Sequence, residues 1–285
     1  MTDDERQQWV ECLQSALERR FGVTAQVPDD LGTDDLRRLS SIAMRRSHRS
    51  WSDRPVGDDL IRLLVLTALS APSKSDLQQA DIIHVRDGEL RAAVAGLVPS
   101  MPWVATAPAF LMICGNNRRI RQVGDARCHP FANDHLDAFF NASVDGGIHM
   151  AYLLMAAEMI GLGGCPVSVI RNRAVEASAL LGLPEHVFPV AGLALGWPDR
   201  ENCIVPRLSP SITFHTDRFE DAGIAEIEAY DRRRRAVLPY GSQRRTDLFG
   251  SSEDYGWMEE KARHYSLPER QDFGAFVRSK GFRLD

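Results

Sequence analysis

The sequence predicts an α+β fold, and two observations lead to this prediction. Amphipathic segments with helical spacing mix irregularly with a few short apolar strands, without the strand–helix rhythm that builds a parallel sheet. No G-x-G-x-x-G motif follows a predicted strand, because the glycines of the run GLGG at 161–164 come after a predicted helix. An open parallel sheet of the dinucleotide-binding kind is therefore disfavoured.

Helices are predicted where apolar residues recur about every three or four positions. Residues 1–40 form a helical extension, in which Trp9, Leu13 and Leu17 follow this spacing. The most apolar long stretch, residues 142–169, contains Asp145 and is predicted to be a buried helix rather than a membrane span. Its apolar stripe consists of Ile148, Ala151, Tyr152, Met155 and Met159. Shorter helices are predicted over residues 34–44, 58–70, 89–97 and 174–181.

Strands are predicted where short apolar runs lie between turn residues, over 80–85, 109–114, 167–170 and 190–195. Residues 115–135 are polar and without clear periodicity, which predicts an irregular region that is either mobile or shapes a substrate pocket. From about residue 206 the chain is polar, arginine-rich and predicted helical.

Composition narrows the class of protein. Apolar residues make up 44% and charged residues 26%, as in an ordinary globular protein. The net charge of −5 gives no reason to expect a nucleic-acid or membrane partner. The five cysteines are widely spaced and form no C-x-x-C pair, which favours a reducing cytoplasm. No metal site is predicted, because Cys128, His129 and His135 do not match zinc-ligand spacing.

A basic segment follows the second predicted helix. It consists of Arg45, Arg46, Ser47, His48 and Arg49. The planar guanidinium group binds phosphate oxygens through paired hydrogen bonds, so the segment is a candidate phosphate site. A solvated basic turn explains the same residues.

The loop over 71–78 carries Ser73, Ser75 and Gln78, whose short polar side chains suit the edge of a planar heterocycle. The same residues are compatible with a helix-capping loop. Arg207 follows a proline, and its local sequence alone gives it no function.

Arginines cluster again at 232–235 and at Arg244 and Arg245. This cluster could receive the 2′-phosphate of NADPH, and a solvated helix face is the alternative. No G-x-S-x-G elbow supports a serine hydrolase. No catalytic side chain is predicted.

Taken in order, several segments resemble one family. RRSHRSWSDRPV is similar to the H-R-S-x-R-x-F-x-D-x-P segment that opens the oxygen-insensitive NADPH nitroreductases and their flavin reductase P relatives. SAPSKSDLQ resembles their serine-rich loop, and EMIGLGGCPVSVIRN their E-S-L-G-L-G-G segment. LLGLPEHVFPVAGLALGWP and PRLSPSITFH resemble the stretches that follow, as do AYDRR, GSQRR and the final KGF. The resemblance runs from about residue 42 to the end.

The resemblance implies an intertwined homodimer of nitroreductase-like fold, with a central, mostly antiparallel sheet flanked by helices and two FMN sites at the subunit interface. It implies an FMN-binding core over 41–215 and a C-terminal helical extension over 216–285 that packs on the partner. The residues implied to bind FMN are Arg45, Arg46, Ser47, His48, Arg49, Ser73, Ser75, Met101, Pro166, Val167, Ser168, Val169 and Arg207. Arg244 or Arg245 would contact the phosphate of NADPH.

Five residues depart from the family pattern. Arg45 stands in place of a histidine, Val205 of a lysine, Met101 of a glutamine and Ser168-Val169 of a glycine pair. The implied function is hydride transfer from NADPH or NADH through FMN to a nitroaromatic, quinone or flavin by a ping-pong mechanism. Phe131, Phe139 and Phe140 are expected to shape the acceptor pocket. A reductase specialised for one metabolite, or a flavin-binding protein without turnover, is the alternative.

Overall fold

The computed structural model describes residues 3–285, so residues 1 and 2 of the predicted extension lie outside the described part. The chain forms two compact units. The first comprises the chain up to Arg46 together with Asn202–Glu269, and the second comprises Ser47–Glu201 with Arg270–Asp285. These units describe packing within one chain and do not test the predicted division at residues 40 and 215.

Helices and strands follow one another along both units. The helices are α1 (Asp3–Phe21), α2 (Thr33–Ala43), α3 (Asp58–Leu69), α4 (Gly88–Gly96), α5 (Trp103–Thr106), α6 (Arg118–Ala126), α7 (Leu136–Met159), α8 (Ala174–Leu180), α9 (Pro210–Thr213), α10 (Ile224–Val237), α11 (Thr246–Phe249), α12 (Trp257–Tyr265) and α13 (Phe273–Ser279). The strands are β1 (Ala80–His84), β2 (Ala109–Asn116), β3 (Gly163–Val167) and β4 (Val187–Gly196). Short 3-10 helices cover Lys74–Asp76 and Ser168–Arg173.

In the second unit the four strands form one sheet of order β1-β2-β4-β3, in which every neighbouring pair is antiparallel. All residues of β2 are buried, and Phe110 and Met112 on one face and Leu111 and Ile113 on the other belong to separate core clusters. An apolar run without alternation is typical of a strand covered on both faces. The predicted α+β class and the predicted strands at 80–85, 109–114 and 190–195 are confirmed.

The predicted strand at 167–170 is wrong. The strand is Gly163–Val167, and residues Ser168–Arg173 form a 3-10 helix. The helix end predicted at Gly161 and Gly163 is wrong at Gly163, because Gly163 pairs with Gly196 of β4 and Gly164 pairs with Leu195. Two glycines are tolerated in this strand because other groups approach its backbone closely.

The region 115–135 is not irregular throughout, because residues Arg118–Ala126 form α6. The side chain of Asn116 caps this helix: its Oδ1 atom accepts from the backbone N–H groups of Arg118 (2.8 Å) and Arg119 (3.2 Å). An asparagine that satisfies unpaired N–H groups in this way favours a helix start. The sequence interpretation missed that cap because few apolar residues follow it.

Helix α7 is buried on one face only, which corrects the prediction of a buried helix. Its core face includes Ala142, Leu153 and Ala157, whereas Tyr152 and Met159 of the predicted stripe are 41% and 52% exposed. The helix carries two neighbouring apolar stripes, and the spacing alone did not show which one the sheet covers. No helix within the described residues is long and apolar enough to cross a membrane.

In the first unit, α1 packs along α2 around Val10, Leu13 and Leu36, of which Leu36 is fully buried. Within the described residues of the extension, the predicted helices are confirmed as α1 and α2, and residues 22–32 between them are not helical. Both helices place apolar side chains at helical spacing on the shared face, and these side chains drive the packing.

Candidate functional site

The second half of the predicted basic segment lies against the edge strand of the sheet. Ser47 forms a parallel bridge with Gly164 of β3, and the backbone N–H of His48 donates to the carbonyl of Gly164 at 3.1 Å. The indole N–H of Trp51 donates to the carbonyl of Gly163 at 3.2 Å. The segment that carries Arg49 is therefore held on β3 by one main-chain hydrogen bond, as in an added strand, and by one hydrogen bond from an indole side chain.

Two glycines allow this close approach. A Cβ atom on Gly163 would lie 2.6 Å from the His48 ring and 2.7 Å from Pro198. A Cβ atom on Gly196 would lie 2.5 Å from Trp51. Side-chain carbon atoms do not approach other heavy atoms this closely, so glycine is required where the segment crosses the sheet edge.

We expect the substitution Gly163→Ala to lower the free energy of unfolding by about 1–3 kcal/mol, because the added methyl group overpacks a filled space. Urea denaturation followed by tryptophan fluorescence measures this loss. Gly96→Ala is the matched control, since a Cβ there meets nothing within 4 Å. Equal stability of the Gly163→Ala variant and the wild type would contradict the close packing of His48.

Aromatic and cationic side chains surround the same segment. The rings of Trp51 and Trp103 are 6.0 Å apart, and the Cζ atom of Arg49 lies 5.9 Å from the centre of the Trp103 ring. Met101 packs on the same core cluster as both tryptophans. The predicted positions Ser47, His48, Arg49 and Met101 are thus brought into one region with β3.

The predicted backbone stretch 166–169 continues from that strand. Val167 is fully buried and Val169 packs on the core, whereas Ser168 is exposed at the start of the 3-10 helix. The side chain of Val167 therefore cannot reach a ligand. A ligand at this position would meet main-chain groups, the ring of Pro166 and the Ser168 hydroxyl.

The predicted serine loop is anchored on α7 by Asp145, a fully buried carboxylate. Its oxygens accept from the Ser73 hydroxyl at 2.6 Å and from the backbone N–H groups of Lys74 and Gln79, each at 3.2 Å. The Ser73 oxygen in turn accepts from the N–H of Gln78 at 2.7 Å. Ser73 therefore holds the loop in shape, and Ser75 is its exposed hydroxyl.

The loop backbone is unusual for its residue types. Ser75, Asp76 and Gln78 have positive φ angles of 51°, 56° and 51°. Side chains other than glycine adopt this region rarely, and it persists where surrounding contacts fix it. The hydrogen bonds to Asp145 supply such contacts.

In the first unit, Arg20, Arg45 and Arg207 line a pocket of about 830 Å³. Its other walls are mainly apolar: Leu13, Leu17, Phe21, Leu39, Ile42, Ala43, Leu208, Thr213, Tyr230 and Trp257. Burial raises the pKa of the Tyr230 phenol, so it remains protonated and donates to the carbonyl of Pro206 at 3.4 Å. The half-buried Arg46 donates to the carbonyl of Met44 at 3.2 Å.

The late arginines have different surroundings. The Nε of Arg244 donates to the buried Glu260 at 3.0 Å, and its backbone N–H donates to the Tyr255 hydroxyl at 2.7 Å. Arg263 donates to the carbonyl of Arg244 at 3.0 Å. Arg245 is exposed at a turn with φ of 54°. Both arginines are exposed, the Arg244 side chain by 40%, and the Arg244 guanidinium is engaged by Glu260.

Sequence reasoning missed two residues, Asp145 and Arg20. Asp145 was visible as a charge in the most apolar stretch of the chain, which is a signal for a buried, hydrogen-bonded carboxylate. Arg20 carried no such signal, because arginine is ordinary in the last turn of a helix.

The four-stranded antiparallel sheet, extended at its edge by an arginine-bearing segment, defines a class of two-unit α+β protein. The family model described as "Nitroreductase family" matches residues 42–197, and the one described as "Nitroreductase family, C-terminal domain" matches residues 206–285. The chain belongs to the nitroreductase family.

Similar proteins agree with this assignment. The chain is 28% identical over 252 residues to "FMN reductase [NAD(P)H]" of Bacillus subtilis, covering 87% of this chain and 98% of the relative. It is 32% identical over 212 residues to "Oxygen-insensitive NADPH nitroreductase" of Salmonella typhimurium, covering 74% of this chain and 87% of the relative. Among solved structures, the NADPH:FMN oxidoreductase from Vibrio harveyi complexed with NAD+ is similar with a TM-score of 0.75 at 27% identity, covering 86% of this chain and 97% of that one.

Proposed function

We propose that the protein is an FMN-dependent oxidoreductase that uses NADPH or NADH to reduce a nitroaromatic, quinone or flavin acceptor in ping-pong order. The names of its relatives, which include FMN reductases and an NADPH nitroreductase, support this proposal. The observation that carries it is the basic segment after α2, whose second half is fixed against Gly163 and Gly164 of β3. The proposed location is the cytoplasm.

The residues present fit FMN. Its phosphate is dianionic, and Arg45, Arg46 and Arg207 supply planar guanidinium groups that pair with phosphate oxygens. Arg45 and Arg207 line the same pocket. In the second unit Ser47, His48, Arg49 and Met101 lie in the region of β3, where the main chain at 166–169 and the exposed Ser168 offer hydrogen-bonding groups to a ring edge.

When bound, FMN supplies the redox chemistry, since it accepts a hydride from the nicotinamide and passes two electrons to the acceptor. The chain's own residues bind and orient. Arg49 places a positive charge near Trp103, where it would stabilise negative charge on a reduced ring. Arg245 is proposed to contact the NADPH phosphate, since its exposed neighbour Arg244 is engaged by Glu260. No protein nucleophile takes part.

A cavity of about 440 Å³ in the second unit is proposed to take part in acceptor binding. Phe131 lines it, with the Arg121 guanidinium 4.3 Å from its ring, and Ile120 and Val123 of α6 form another wall. Aromatic and apolar walls suit flat molecules. Phe139 does not belong to this set, because its ring packs in the core 4.7 Å from that of Phe188.

A homodimer is proposed, because helices α3 and α7 leave large apolar side chains in solvent. Leu63 and Leu66 on α3 are 61% and 56% exposed, and Phe140 and Met159 on α7 are 60% and 52% exposed. These two helices pack on each other, so the exposed side chains lie on adjoining surfaces of one unit. Apolar surface concentrated in this way is typical of an interface between subunits.

We expect the wild-type protein to sediment as a dimer and the double variant Leu63→Glu/Leu66→Glu to sediment as a monomer. Charges introduced into an apolar interface lose their hydration without gaining partners. Arg62→Glu, at an exposed position on the same helix, is the control and should stay dimeric. Sedimentation equilibrium measures the mass of each variant. A double variant that stays dimeric would show that these α3 side chains do not form the interface.

The central test uses purified wild-type protein. We expect a yellow protein with an absorbance maximum at about 450 nm that bleaches when NADPH or NADH is added without oxygen. Reoxidation by a panel of nitroaromatics, quinones and free flavins then ranks the acceptors. Bound flavin that no nicotinamide reduces would indicate a flavin-binding protein without turnover, and reoxidation by none of the panel would favour a specialised reductase. Colourless protein that FMN cannot reconstitute would contradict the proposal.

A further inference from the structure

The last turn of α1 contacts the predicted phosphate-binding segments of the first unit. Arg20, only 7% exposed, donates from Nη2 to the carbonyls of Ala43 (3.0 Å) and Arg45 (2.5 Å). Its Nη1 donates to the carbonyl of Val205 at 3.1 Å. One guanidinium therefore connects the end of α2 and Arg45 with Val205, which lies 185 residues after Arg20 and two residues before Arg207.

The backbone of the same turn makes a second connection. The N–H of Arg207 donates to the carbonyl of Arg20 at 2.6 Å. Arg233 of α10 donates to the carbonyls of both Arg20 (3.2 Å) and Arg207 (2.5 Å). Helix α1 ends at this point because Gly22 has a φ of 72°, and a Cβ there would lie 2.9 Å from the Arg233 side chain. The last turn of α1 is therefore fixed by hydrogen bonds from the Arg20 side chain and by hydrogen bonds to the Arg20 carbonyl.

The geometry requires arginine. A guanidinium presents several N–H groups in one rigid plane, so it can serve carbonyls of two segments at once, whereas a lysine ammonium is a compact group on a flexible stem. Apolar packing of Val10 and Leu13 on Leu36 already attaches α1 to α2. Arg20 links residues 43–45 to residues 205–207, whereas this apolar cluster includes Ala43 but none of residues 205–207.

We infer that α1 is a positioning element for the flavin phosphate site, and that Arg20 fixes the backbone from which Arg45 and Arg207 face one pocket. This inference rests on the proposed function, because it takes both arginines as phosphate ligands. Arg20 is a positioning residue and not a catalytic one, since its described hydrogen bonds go to main-chain carbonyls. Its buried positive charge also lies in the wall of that pocket.

The test compares FMN with riboflavin, which lacks the phosphate. Flavin-free protein is titrated with each ligand, and flavin fluorescence reports the dissociation constants. We expect Arg20→Ala to weaken FMN binding about 10-fold or more while riboflavin binding changes less than about two-fold. The FMN affinity of Arg20→Lys should lie between those of Arg20→Ala and the wild type. Arg19→Ala, at the exposed neighbouring position, should bind FMN as the wild type does.

Each outcome decides the inference. Equal loss of FMN and riboflavin affinity in Arg20→Ala would mean a general structural role and would overturn it, as would unchanged FMN affinity. If Arg20→Ala does not fold by circular dichroism, the FMN-to-riboflavin ratio of Arg20→Lys decides in the same way. A wild-type protein that binds no flavin overturns the proposed function itself, whereas a flavin-binding wild type with no preference for FMN removes only the phosphate site and α1's role.

Discussion

The substitution Asp145→Ala is expected to lower the free energy of unfolding by about 3–5 kcal/mol, because it leaves buried hydrogen-bond donors without an acceptor. The carboxylate accepts from Ser73, Lys74 and Gln79, and Gln79 is only 1% exposed. Alanine supplies no acceptor and leaves a space that water must fill or the loop must close.

The milder substitution Asp145→Asn should change the serine loop more than the rest of the molecule. Ser75, Asp76 and Gln78 keep positive φ angles, and these are retained only while surrounding contacts fix them. We therefore expect faster amide hydrogen exchange over residues 73–79 in Asp145→Asn, which keeps one acceptor oxygen and the side-chain volume.

Chemical denaturation and hydrogen exchange measure the two effects. The control is Asp137→Asn on the same helix, because Asp137 forms an exposed ion pair with Lys74 at 3.5 Å. We expect a much smaller loss of stability there, since exposed ion pairs contribute little. Similar losses for the two carboxylates would show that Asp145 is not the anchor of the loop.

The substitution Arg207→Ala is expected to weaken FMN binding about 10- to 100-fold, which corresponds to about 1.5–3 kcal/mol for a charge-assisted pair with phosphate. Arg207 is exposed in the wall of the first unit's pocket, and its main chain is held by Arg20 and Arg233. The substitution leaves those main-chain hydrogen bonds in place, so stability should change little.

Equilibrium dialysis over a series of salt concentrations measures this effect. A binding contact between charges weakens as salt rises, so the variant should show a smaller salt dependence than the wild type. Arg218→Ala, another exposed arginine of the same unit, should bind FMN as the wild type does. Full FMN affinity in Arg207→Ala would contradict its assignment to the phosphate.

Local patterns in the sequence predicted much of the fold. Strands β1, β2 and β4 are apolar runs bounded by turns, and α3 and α4 follow helical spacing, so a short window of sequence specifies each. The order of several weak motifs identified the family. The basic segment could be selected as a candidate because its residue types suit phosphate, although sequence alone also allowed a solvated turn.

Tertiary structure decided which groups meet. The spacing of α7 allowed two apolar stripes, and only packing against the sheet determined that Leu153 is buried and Tyr152 half-exposed. Ser73 bonds a carboxylate 72 residues away, and Arg20 a carbonyl 185 residues away. A hydrogen bond needs atoms within about 3 Å of each other, and such distances depend on how distant elements pack rather than on neighbours in the chain.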